Sequence, residues 1–207
     1  MAELVTDRLG VPPRPAGAPD VLVLGLPRGG VPVAALVARA LDAPLDVLVV
    51  RKVGVPWQPE LALGAVGERG AVALNQGVVS DSGVGPDELD ALIGKASREV
   101  DDIVADLRPN IGPPEVAGRM VIVVDDGVAT GATARAAASV LRSSGASPII
   151  LATPVGARGS CETLSSCFDD VMCILTPWRF GSVGRHYAKF DQVSIGEVRR
   201  LLGEAPA

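Results

Sequence analysis

The chain has 207 residues, enough for one well-buried α/β domain with a small attachment and short for two full domains. Hydrophobic residues make up 48% of it and aromatics only 3%, so Val, Leu, Ala and Ile must fill the core, a composition suited to a parallel sheet covered on both faces. A formal charge of −5 excludes a global basic footprint for DNA or RNA, and the three cysteines and one histidine fit no paired framework or zinc spacing.

Residues 1–20 begin without an apolar signal core and turn rich in proline from Val11, which predicts an extended lead into the domain. No apolar run approaches the roughly 20 residues that span a bilayer, so the expected compartment is the cytoplasm. The continuous run Val21 to Leu26 predicts a central strand, followed by the turn Pro27-Arg28-Gly29-Gly30. Ala34, Ala35, Val37, Ala38 and Leu41 then recur at helical spacing, and Leu45 to Val50 predicts a second strand. Strand, helix and strand in that order argue for parallel pairing. Arg51 to Gly70 is rich in glycine and shows no clear period, and so reads as a long functional loop.

Ala71 to Leu74 predicts a short strand and Asn75-Gln76-Gly77 a turn. The clearest helix opens at Gly85-Pro86, with Leu89, Leu92, Ile93, Ala96, Val100, Ile103, Val104 and Leu107 on one stripe. Asp87 and Glu88 in its first turn and Arg108 at its end complement the helix dipole. Strands are predicted over Met120 to Asp125, Pro148 to Thr153 and Val171 to Leu175. Between the first two lies a helix over Ala134 to Arg142, capped by Gly145. The fold class expected is α/β, a mostly parallel central sheet flanked by helices over 21–176, with short segments 1–20 and 177–207 on either side.

The informative segment runs from Val121 to Thr133. A buried strand ends in Asp125 and Asp126, a small-residue loop follows (Gly127, Val128, Ala129, Thr130, Gly131), and Ala132 and Thr133 open a helix. Ligands of open parallel sheets sit beyond the carboxyl ends of the strands, where these two acids emerge. A helix N-terminus offers unpaired N–H donors and about half a positive charge, which suits phosphate. The acids would repel phosphate, but they can accept hydrogen bonds from ribose hydroxyls directly or through Mg2+, which prefers oxygen ligands. Acid pair, loop and helix in that order describe a receptor for a ribose 5-phosphate.

This segment resembles the motif by which type I phosphoribosyltransferases bind 5-phosphoribosyl-1-pyrophosphate: a hydrophobic strand, two acids and a T-G-x-T loop. Leu26 to Pro32, Arg51 to Gly54, Pro59 to Ala65 and Tyr187 to Val193 are similar to a little-characterised branch of the same family, so the likeness covers roughly Val21 to Leu201. It implies a type I phosphoribosyltransferase fold with a small hood from segments 1–20 and 177–207, a Mg2+ ion held through Asp125 and Asp126, a small nitrogen acceptor and a homodimer. It also implies that Arg28, Gly29, Gly30, Arg51 and Lys52 bind pyrophosphate, the turn often having an unusual peptide geometry. Arg28, Lys52 and Glu60 would act in catalysis, with Glu68 and Arg69 as further participants of a loop that closes over the substrate. Phe180 or Trp178, in the hood with Tyr187 nearby, would stack on a base. His186 stands as a packing residue or an acid–base group.

Two readings remain open at this point: a transferase, or a protein that binds the same sugar phosphate without turnover. The acidic charge disfavours a nucleic-acid regulator, a synthase of the sugar diphosphate would need a duplicated domain, and the P-loop pattern GxxxxGK[ST] is absent. Ala129 stands where transferases acting on hypoxanthine and guanine carry an Asp, which disfavours a 6-oxopurine acceptor.

Overall fold

The apolar runs lie side by side at the centre of the molecule because each strand is buried on both faces. The computed structural model describes residues 20–109 and 112–204, together with the backbone but not the side chain of Glu60; segment 1–19 lies outside the described residues. In chain order the elements are β1 (Val21–Gly25), α1 (Gly30–Leu41), β2 (Leu45–Val47), β3 (Val50–Val55), β4 (Gln58–Gly67), β5 (Val72–Leu74) and α2 (Gln76–Ser82). They continue with α3 (Pro86–Leu107), β6 (Met120–Val124), α4 (Ala132–Ser143), β7 (Ile149–Val155), α5 (Arg158–Leu164), β8 (Asp170–Leu175) and α6 (Ile195–Gly203).

Five strands form a wholly parallel sheet in the order β2-β1-β6-β7-β8. Side chains alternate along β6: Val121 and Val123 join the cluster under α4, whereas Ile122 and Val124 join the cluster under α1. All four are fully buried, and burial of each such side chain contributes about 1.5–3 kcal/mol. The chain leaves β1 for β2 on one side and β6 for β7 on the other, so the order reverses between β1 and β6. Their carboxyl ends therefore flank the crevice where an open α/β sheet receives ligands. Among the described residues, no helix is long and apolar enough to cross a membrane.

Several expected boundaries are corrected. Leu45 to Val50 is not one strand: β2 stops at Val47, and the chain enters a second, antiparallel sheet of order β3-β4-β5 at Val50. An unbroken apolar run hides such a change of partner. Arg51 to Gly70 is not an irregular loop but mostly the β3–β4 hairpin, followed by a 3-10 turn at Glu68–Gly70. Its glycines are where strands approach closely; a Cβ on Gly54 would lie 2.6 Å from the Pro59 carbonyl oxygen. Asn75 does not merely turn the chain: it caps α2, its Oδ1 accepting from the Val78 amide at 3.3 Å. Helices α5 and α6 were not expected, and Val198 of α6 is fully buried in the cluster that joins the hairpin to α3.

Arg108 does more than complement a helix dipole. It is 4% exposed at the C-cap of α3, 3.0 Å from Asp46 of β2, and ion-paired with Glu68. Glu68 also accepts the Val49 amide at 3.3 Å, so one cation ties α3 to both sides of the passage between the two sheets. Burial pushes the Asp46 carboxyl up to about 6, against the pull of Arg108. Asp46 thus keeps its proton to higher pH folded than unfolded, so its contribution to stability grows as the pH falls through about 6 and is lost as the pH rises. Arg108→Met leaves two buried carboxylates without a counter-ion. Unfolding in urea should show a loss of about 3–5 kcal/mol near neutral pH. The loss should shrink near pH 5 as Asp46 takes up a proton; an equal loss at both would exclude charge as its origin.

Candidate functional site

Both loops at the crevice are built by the strands they leave. The first leaves β1 as Leu26-Pro27-Arg28-Gly29 and enters α1, with the Pro27–Arg28 peptide bond cis. The Leu26 amide bonds the Val124 carbonyl at 2.9 Å, which seats this turn on the end of β6. The second leaves β6 as Asp125-Asp126 and is stitched to β7: the Asp125 amide bonds Ala152 at 3.2 Å, and the Val128 amide bonds Val155 at 2.9 Å. Ser160 of α5 also donates to the Ala129 carbonyl at 2.6 Å, a support that no motif signalled.

The two loops touch. A Cβ on Gly29 would lie 1.7 Å from Oδ2 of Asp126, and one on Gly30 would lie 2.5 Å from the Val124 carbonyl oxygen. Gly30 donates its amide to Leu26 at 3.0 Å, so it contributes clearance to the site rather than a free donor. Gly29, the N-cap of α1, has no side-chain cap above it.

Asp125 accepts the Asp126 amide on Oδ1 at 2.9 Å, which fixes its carboxylate. Burial and the neighbouring Asp126 charge push Asp125 up to about 7, and burial raises Asp126 as well. Each carboxylate is thus held in a place that disfavours its charge, without a cationic side chain among the described residues to offset it. Groups held in this way can accept external donors or a cation. Two oxygen-bearing acids fit Mg2+, which is commonly held by one or two carboxylates plus substrate phosphates.

Beyond the acids, Gly131 adopts φ 75° at the N-cap of α4, and its missing side chain clears Leu164. The amides of Thr130 and Gly131 have no protein acceptor among the described residues, whereas the Ala132 amide reaches Thr130 Oγ1 at 3.4 Å. Thr130 and Thr133, on either side of that N-cap, are both exposed.

The remaining expected residues are distributed more widely. Arg28, Gly29 and Asp126 line one cavity of about 450 Å3. Arg51 shares a second cavity with Arg28 and is paired with Glu99 at 3.5 Å, while Lys52 faces a third beside Ala132 and Arg135. Adjacent residues of a strand point to opposite faces, so Arg51 and Lys52 do not enter one crevice. Glu60 belongs to β4, and its side chain lies outside the described residues. Glu68 is occupied by Arg108. Trp178 is 90% exposed, and Phe180 stacks on His186 with centroids 5.7 Å apart. The Nε2 atom of His186 lies 2.8 Å from the Phe180 carbonyl oxygen, so the histidine is engaged in holding its own turn.

The fold is that of an α/β protein whose parallel sheet has its switch point at a βα turn beside an acid pair. A family model described as the phosphoribosyl transferase domain matches residues 14–188, and the chain belongs to that family. It is 46% identical over 185 residues to a Mycobacterium tuberculosis protein provisionally named as a phosphoribosyl transferase, covering 89% of this chain. The chain spans 42% of the length of that relative. A solved structure from Thermus thermophilus aligns with a TM-score of 0.84 and 36% identity, covering 100% of this chain and 94% of that one.

The two glycines of the turn separate fold from site. Gly30→Ala meets backbone and should destabilise the protein by about 1–3 kcal/mol in thermal or urea unfolding. Gly29→Ala meets only the Asp126 carboxylate, which can rotate away; stability should hold while ligand affinity falls. Equal destabilisation by both would refute this division.

Proposed function

We propose that the protein is a Mg2+-dependent phosphoribosyltransferase, which moves the 5-phosphoribosyl group of 5-phosphoribosyl-1-pyrophosphate to a small nitrogen acceptor and releases pyrophosphate. The observation that carries this reading is the contact between two loops of opposite character: an acid pair without a cationic partner among the described residues, against a βα turn bearing Arg28. Family membership supports the same reading.

Each group has a task that its surroundings suit. Asp125 and Asp126 accept hydrogen bonds from the ribose hydroxyls and fix the sugar ring. The free amides of Thr130 and Gly131, with the Thr130 and Thr133 hydroxyls, bind the 5-phosphate at the N-terminus of α4. Arg28 and the Gly29 amide face the pyrophosphate, where a charge-assisted hydrogen bond is roughly twice as strong as a neutral one. Mg2+, held through Asp125 and Asp126, would neutralise charge on the leaving group. Positioning and preset charge of this kind supply much of a rate enhancement. Ala129 offers the acceptor neither a proton nor a hydrogen-bond acceptor from its side chain, so a 6-oxopurine is disfavoured.

Calorimetric titration with 5-phosphoribosyl-1-pyrophosphate, with and without Mg2+, should show metal-dependent binding. Combining Asp125→Asn with Asp126→Asn should abolish that binding without unfolding the chain. Unchanged affinity in the double variant would remove the site from consideration. A nucleobase panel followed by pyrophosphate release then separates turnover from binding alone, with hypoxanthine and guanine expected among the poorest acceptors.

A further inference from the structure

The cavity that Arg28 and Gly29 line has a second wall, and that wall carries a cation with no role in the reading above. Tyr187, Lys189 and Asp191 stand there, across from the β1–α1 turn and Asp126. Tyr187 anchors the wall: its hydroxyl donates to the Asp126 backbone carbonyl at 2.6 Å, and its ring meets Phe190 at 5.1 Å. Phe190 in turn packs over Gly184, where a Cβ would lie 2.9 Å from the ring. The backbone at Lys189 is therefore held between two fixed residues. Among the described residues, neither the Lys189 nor the Arg28 side chain makes an ion pair or a hydrogen bond, in a chain of net charge −5. Two uncommitted cations facing one cavity, against that overall charge, point to an anionic occupant.

Which anion follows from the geometry of displacement. Reacting groups must align through the anomeric carbon, so the leaving group and the acceptor occupy opposite sides of the sugar. An occupant of this cavity touches the Arg28 turn, and so lies on the leaving side. Asp126 and Asp191 also line the cavity, and they would repel a bare polyanion but tolerate one complexed with a divalent cation, since that complex presents both signs. We propose that Lys189 binds the leaving pyrophosphate opposite Arg28, so that the C-terminal segment completes a subsite opened by the β1–α1 turn. A lysine suits the task, because a point charge on a flexible four-carbon stem can follow a departing group. The proposal rests on the transferase reading.

Its test is calorimetry on the full chain with magnesium pyrophosphate and, separately, with ribose 5-phosphate. Lys189→Met should weaken pyrophosphate binding about tenfold or more, the scale of one lost hydrogen bond to a charged group, and leave ribose 5-phosphate unaffected. Lys189→Arg should retain most of the pyrophosphate affinity. Equal pyrophosphate affinity in the unaltered chain and Lys189→Met overturns the role of Lys189 and leaves the transferase reading standing. A parallel loss of both ligands in Lys189→Met also overturns it, because a leaving-group contact spares the sugar phosphate. An unaltered chain that binds neither ligand sinks both readings together.

Discussion

Two loops leave neighbouring parallel strands in contact, and they can do so because the glycines of one put no side chain against the other. β1 and β6 lie at hydrogen-bonding distance over their whole length, so whatever follows each strand must share the same small volume. The turn after β1 meets this demand with consecutive glycines, the loop after β6 with two acids folded beneath them. A larger residue at Gly29 would claim the place of the Asp126 carboxylate. The packing of the two loops thus depends on a steric constraint, and the steric constraint on the order of strands in the sheet.

That arrangement costs stability locally. Burial disfavours the charge on Asp125 and Asp126, and their mutual repulsion adds to the cost for Asp125. The surrounding sheet offsets it through fully buried Val, Ile and Leu side chains on both faces. Arg108 shows the opposite solution at the other junction of the fold. There, two acids are also buried, but a guanidinium between them holds the passage from the parallel to the antiparallel sheet. One acid pair has its counter-ion within the protein; the other has no cationic side chain paired with it among the described residues.

The parallel sheet was legible because its evidence is local. Runs such as Val21 to Leu26 and Val121 to Val124 are too apolar for a half-exposed strand, and the helix stripe from Leu89 to Leu107 is periodic over many turns. The β3–β4 hairpin was not legible, because glycine and proline there mark close strand approach and the hairpin tip, the same residues that mark irregular loops. The acid pair and T-G-x-T loop could be read as a unit since strand, loop and helix are contiguous. The cavity wall at Tyr187 to Asp191 lies 61 residues from its hydrogen-bond partner at Asp126, and no spacing rule reaches so far.

The amino-acid sequence alone determined the α/β class, the strand–loop–helix that carries the acids, and the conformational freedom its glycines require. These depend on interactions within a few residues: alternation, helical periodicity and steric access to the backbone. Only the tertiary structure decided which cations meet across a cavity, that Arg51 and Lys52 part to opposite faces, and that the C-terminal segment returns to the second acid. Those outcomes depend on strand order and on which elements pack together, and such contacts between distant residues leave no periodic trace along the chain.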